Sequence, residues 1–155
     1  MNNKHHNNRH ERQHKKHHNN KHKRGDIYFC NLGKQDGSLQ SGARPVVILQ
    51  NNVGNLYSPT TIVSPLSCNK KKLYMPTHIV ICRNDVHKPK RYLTDSLIML
   101  EQIFTINTSE LIEYVGWIDL ADVGVDRAIA VSLGLIGTNI KQFRHKKLKA
   151  VSDYF

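Results

Sequence analysis

DIYFCNLGKQDGSLQSGARPVVILQ, residues 26–50, is the stretch whose reading decides the fold. Asp26 to Leu32 is rich in β-forming side chains and reads as a first strand. Gly33 to Gly42 is a loop with three glycines and Leu39 as its one aliphatic residue. Arg44 to Gln50 has the near-continuous apolar run of a strand buried on both faces. Pro45 is expected at its start, where no ladder donor is needed.

Outward from that hairpin, Asn51 to Pro59 reads as a turn and Thr60 to Ser67 as a third strand. Cys68 to Lys72 is a polar, basic loop. His78 to Arg83 is a fourth strand, and Asp95 to Glu101 a fifth with a short extension at Ile103 to Ile106. Strands at such short intervals predict a small barrel or sandwich rather than βαβ units. The C-terminal third reads differently. Thr108-Ser109-Glu110-Leu111 opens like a helix, with Asn107 or Thr108 placed to cap it. Asp119 to Leu135 reads as a longer helix burying Val123, Ile129, Ala130, Leu133 and Leu135. Gly124 and Gly134 weaken that helix by about 1 kcal/mol each relative to Ala. The class is therefore mostly β (α+β), with C-terminal helices flanking the strands.

At 155 residues the chain has room for about one domain. Its formal charge is +11, of which residues 1–24 carry +7 and residues 25–155 only +4. The expected organisation is a disordered His/Lys/Asn-rich tail over 1–24, a folded domain over 25–137 and a basic C-terminal extension over 138–155. The tail holds seven of the ten histidines and no aliphatic or aromatic residue after Met1. With nothing to bury, ordering it would cost backbone entropy without an offset. Its charge suits a polyanion, and its histidine pairs suit a metal ion. Both are secondary to a solvated tail.

No apolar run approaches the roughly 20 residues that span a bilayer, and the basic N-terminus lacks a signal peptide's apolar stretch. Three cysteines, Cys30, Cys68 and Cys82, form no C-x-x-C, which points to a reducing cytoplasm. G-x-x-x-x-G-K-[ST], H-E-x-x-H and G-x-S-x-G are all absent. His78 reads as a packed or surface residue. What remains is Arg44, at the junction of a glycine-rich loop and a buried strand. A guanidinium there must satisfy five donors, from a phosphate or from a carboxylate such as Asp26 or Glu101.

RGDIYFCNLG (24–33), GSLQSGARPVVILQNNVGN (37–55), YSPTTIV (57–63), LYMPTHI (73–79) and DSLIMLEQI (95–103) together closely resemble the MazF/PemK toxins of bacterial toxin–antitoxin pairs. Order and spacing agree over about residues 24–136. The resemblance implies an SH3-like β-barrel, a homodimer, and sequence-specific, metal-independent cleavage of single-stranded RNA to a 2′,3′-cyclic phosphate and a 5′-hydroxyl. It implies no cofactor. It also implies a cognate antitoxin whose C-terminal segment covers the RNA groove, with DNA reached solely through the antitoxin complex and no membrane partner.

The family's catalytic arginine and hydroxyl residue fall on Arg44 and Ser67. Ser38, Gln40 and Ser41 fall in the loop that covers the RNA, and Gln102 where an amide can read a base edge. Three departures stand out. Leu39 replaces a glutamate found in many members, which removes a candidate base. Phe104 replaces an arginine, so a ring that can stack stands where a cation would hold phosphate. Ser67 replaces threonine. An alternative reading follows from these departures: a weakened barrel that binds RNA or a partner protein without cutting.

Overall fold

The computed structural model describes residues 21–69, 73 and 75–138. Among them are the strands β1 (Asp26–Asn31), β2 (Ala43–Ile48), β3 (Thr60–Ser67), β4 (His78–Ile81), β5 (Ser96–Met99), β6 (Phe104–Asn107) and β7 (Leu111–Trp117). The helices are α1 (Asn52–Tyr57) and α2 (Val125–Ser132). All ladders are antiparallel, in the order β4-β5-β3-β2-β1-β7, with β6 also on β3.

The hairpin of β1 and β2 is the centre of the molecule. Ile27 pairs with Val47 and Tyr28 with Val46, so alternate side chains leave by opposite faces. One face carries Ile27, Val47 and Leu49 into a cluster with Leu66, Ile81, Ile98, Leu100, Val115 and Val125. The other carries Cys30, Val46 and Ile48 against Val63, Ile106 and Leu32. Burial on both faces is what the unbroken apolar run required. Pro45 is the third residue of β2, not its first, but β3 pairs with β2 only from Val46 onward.

β3 has three strand partners among the described residues. Its first half, Thr60–Val63, pairs with β6, Val63–Pro65 pair with β2, and its last two residues pair with β5. β6 lies beside β3 and β7 beside β1, yet a single 3-10 turn, Thr108–Glu110, joins them. The sheet must therefore curl until its ends approach. No ladder joins β6 to β7 among the described residues, so the expected closed barrel is an open, curled sheet of the expected mostly β class.

Three local expectations are corrected. Asn51 to Pro59 is not a plain turn: Asn51 caps α1 through its side chain to the Gly54 N–H at 2.8 Å. The helix expected from Thr108 is one 3-10 turn leading into β7, because Leu111–Trp117 finds a strand partner in β1. The long C-terminal helix shrinks to Val125–Ser132, bounded by Gly124 and Gly134, both at positive φ. It buries Val125 and Ala128, while Leu133 and Leu135 are exposed.

Lys21–Arg24, read as the end of the tail, carry contacts to the folded part. The buried His22 ring lies 3.1 Å from Asn55 Oδ1, and Arg24 pairs with Asp126 and donates to the Leu49 carbonyl. Asn55 also accepts from Thr61 Oγ1 and donates to the Gln50 carbonyl, so it ties α1 to both β3 and the chain entry. The rest of the tail, Lys70-Lys71-Lys72 and the extension from residue 139 lie outside the described residues. None of the described helices is long and apolar enough to cross a membrane.

Candidate active site

Arg44 is the second residue of β2, opposite Cys30 of β1. The β2–β3 ladder runs Ile48–Val63, Val47–Ser64, Val46–Pro65. The ladder ends there, and Ser67, the last residue of β3, pairs instead with Leu97 of β5. Arg44 and Ser67, 23 positions apart in the chain, each lie two residues beyond the last β2–β3 pair, on neighbouring strands.

Arg44 pairs with neither Asp26 nor Glu101. Its Nε donates to the Ser41 carbonyl at 3.0 Å, and its Nη1 to Gln40 Oε1. A guanidinium has five N–H donors. The others have no hydrogen-bond partner among the described residues. Partial burial lowers the Arg44 pKa from its ordinary value, against the smaller opposing pull that negative charge at Cys68 exerts. Ser67 Oγ accepts the Asn69 N–H at 3.2 Å, which aims the hydroxyl toward the start of the basic loop.

The loop from Gly33 to Gly42 closes on itself, with Gly42 N–H to the Gly33 carbonyl at 2.8 Å. Both glycines sit at φ near +70°, a region that costs other residues about 1 kcal/mol or more. Ser38 and Ser41 contribute backbone carbonyls: Ser41 to Arg44, Ser38 to Gln102. Gln40 contributes its side chain to Arg44 and its N–H to Gln102 Oε1, at 2.6 Å. Five of the six expected site residues, Ser38, Gln40, Ser41, Arg44 and Gln102, therefore form one hydrogen-bonded chain, while Ser67 Oγ bonds to Asn69 outside it.

Leu39 is half exposed, and Phe104 packs against the core cluster of Cys30, Val46 and Val63. Sequence reading did not find the support beneath Gln102. His78 is buried, with Nε2 2.7 Å from Glu101 Oε1, and Thr77 Oγ1 donates to Glu101 Oε2 at 3.2 Å. A strand histidine and an acid 23 residues later carry no local signature of that contact. Among the described residues, no group of three or more His, Cys, Asp or Glu side chains is arranged to hold a metal ion. A cleft of about 790 Å³ lined by Lys23, Arg24, Asp26, Tyr28, Tyr114 and Trp117 contains none of the site residues.

The model of the PemK-like, MazF-like toxins of type II toxin–antitoxin systems matches residues 23–133. The chain belongs to the PemK/MazF toxin family. This toxin is 42% identical over 118 residues to the endoribonuclease EndoA of Bacillus subtilis (strain 168), an alignment covering 74% of the toxin and 96% of EndoA. Its fold is similar to that of an endoribonuclease from a mycobacterial species, at 26% identity and a TM-score of 0.59, covering 77% of the toxin and 97% of that chain. A second mycobacterial endoribonuclease, solved in complex with its cognate antitoxin, matches at 26% identity with a TM-score of 0.57, covering 76% and 99%. As a type II toxin, the protein has an antitoxin as its partner.

Proposed function

We propose that this toxin is an endoribonuclease that cuts single-stranded RNA at short sequences by attack of the substrate's own 2′-hydroxyl. The observation that carries the reading is Arg44, held on two sides by Ser41 and Gln40 with further donors left for a phosphate. The 2′-oxygen forms a bond to phosphorus, and the bond from phosphorus to the 5′-oxygen breaks. The products are a 2′,3′-cyclic phosphate and a 5′-hydroxyl. Negative charge builds on the phosphorane oxygens, and the Arg44 guanidinium neutralises it.

The 5′-oxygen needs a proton as it leaves. A guanidinium whose pKa burial lowers is a better donor than one in water. Ser67 holds a nonbridging oxygen. Leu39 supplies no base, so the 2′-hydroxyl proton passes to solvent. Since the nucleophile belongs to the substrate, the reaction needs no metal-activated water and no cofactor. Ser38, Gln40 and Ser41 cover the bound RNA, and Gln102 joins the site through that loop.

The working unit is a cytoplasmic homodimer. Leu133, Leu135 and Ile136, exposed just beyond α2, support an apolar interface. The cognate antitoxin neutralises the enzyme by laying its C-terminal segment across the groove, and DNA is reached solely through that complex. Residues 1–20 and 139–155 are basic flanks of the catalytic domain.

The test is cleavage of single-stranded RNA in excess EDTA, with Arg44→Ala alongside, residues 1–20 deleted in a parallel sample, and product ends mapped. Discrete cuts with cyclic-phosphate ends, lost in Arg44→Ala, are expected. Intact RNA with binding retained would instead favour a non-cutting barrel, the reading to which the exposed, uncharged Leu39 lends support.

A further inference from the structure

Gln102 sits on a turn that is pinned from several sides. Its own N–H donates to the Met99 carbonyl at 2.9 Å, and the Leu100 N–H to the Thr77 carbonyl at 3.0 Å. Ser132 Oγ of α2 donates to the Leu100 carbonyl at 2.7 Å, and the Glu101 carboxylate holds both His78 and Thr77. The Gln102 carboxamide projects from this post to the loop. Its Oε1 accepts the Gln40 N–H at 2.6 Å, and its Nε2 donates to the Ser38 carbonyl at 3.1 Å.

Those two contacts straddle Leu39. One amide taking the N–H of residue 40 and giving to the C=O of residue 38 repeats what a parallel neighbour strand does with its backbone. Glutamate cannot do it, having no donor for Ser38 when ionised, and a shorter side chain would not reach. The loop needs such an anchor. Gly33, Gly37 and Gly42 all lie at positive φ with open space around them. Among the described residues, the hydrogen bonds that reach residues 36–41 from outside come from Gln102 and Arg44. Gln40, clamped by its backbone, gives its side-chain oxygen to Arg44.

We propose that Gln102 is a positioning residue for RNA cleavage: its carboxamide clamps the loop at Ser38 and Gln40 and, through Gln40, aims the Arg44 guanidinium. The kinetic half of this proposal rests on the nuclease reading above; the clamp itself does not. Misplacing a charge-stabilising group by about 1 Å can cost two orders of magnitude in rate. A fixed post and a loop with few other anchors therefore make Gln102 matter to the rate, though its amide atoms are taken up by the loop rather than by a base.

The experiment compares the full-length protein with Gln102→Ala and Gln40→Ala. Amide hydrogen exchange is followed at residues 38–41 in the free protein, and kcat, KM and cut sites are measured on an RNA that the unmodified protein cleaves. In Gln102→Ala the Gln40 amide should exchange roughly two- to tenfold faster, the effect of one lost hydrogen bond. Its kcat should fall about tenfold, with KM within twofold and cut sites unchanged. Gln40→Ala keeps the backbone clamp and removes the link to Arg44, so its residue-40 amide should stay protected while kcat falls. Unchanged exchange in Gln102→Ala overturns the clamp. A raised KM with kcat preserved and altered cut sites overturns the positioning role and makes Gln102 a base reader. If the unmodified protein cuts no RNA, the nuclease reading fails, while the exchange comparison still decides the clamp.

Discussion

Replacing Arg44 separates the two things that residue does. In the folded protein it makes two hydrogen bonds to the loop, from Nε to the Ser41 carbonyl and from Nη1 to Gln40 Oε1. Each contributes about 1 kcal/mol at a partly exposed site, so Arg44→Ala should lower unfolding free energy by about 1–2 kcal/mol. Its expected catalytic contribution is larger. Removing one group that stabilises developing charge typically costs about 10²–10³ in kcat, or roughly 3–4 kcal/mol. Arg44→Lys keeps the charge but not the planar fork, so one ammonium cannot serve Ser41, Gln40 and a phosphate together. It should recover about tenfold over Ala. Urea unfolding and steady-state cleavage on the same preparations give both numbers. If Arg44→Ala cuts RNA within tenfold of the unmodified protein while losing the expected stability, Arg44 is a loop brace and the proposed mechanism is wrong.

Three further expectations are independent of the reaction. Gly25 sits at φ +91°, and a Cβ there would lie 2.4 Å from the Ile118 carbonyl oxygen, so Gly25→Ala should cost about 3 kcal/mol in urea unfolding. A loss under 1 kcal/mol would mean the β1 entry relaxes freely. Burial lowers the His22 pKa below 6.5, so the folded state binds its proton less readily than the unfolded chain. Its contribution to stability is therefore complete above pH 6.5 and is lost as pH falls through the lowered folded value. Unfolding midpoints at pH 7.5 and 5.5 should diverge less in His22→Gln, and an equal divergence would contradict the burial argument. Finally, Cys30 is buried with its thiol pushed up to about 11, while Cys68 and Cys82 are exposed. A disulfide reagent should find two reactive thiols in the native protein and three after unfolding; a rapid third in the native state would contradict the packing of β1 against β2.

The strands were legible where composition and pairing agree. Thr60–Ser67 has the bounds its residues suggest, and the apolar run after Pro45 is buried on both faces. Leu111–Trp117 was not legible, because Thr108-Ser109-Glu110 begins as a helix can. The choice between helix and strand falls to β1, which offers Tyr28 opposite Tyr114, 86 residues later. α1 was missed because six residues hold too few turns for a helical period to show. Leu133 and Leu135 looked like a buried face until Gly134, at φ +72°, ended the helix before them.

The sequence alone determined the mostly β class, the family, and the position of Arg44 at the mouth of a glycine-rich loop. These are properties of local pattern and of order along the chain. The tertiary structure decided who holds Arg44. The candidate carboxylates lost to Gln40 and Ser41, and Gln102, 62 residues beyond Gln40, became the loop's anchor. Such contacts depend on where curled strands bring distant side chains, and a hydrogen bond is decided within a few tenths of an ångström. No spacing along the chain encodes that distance.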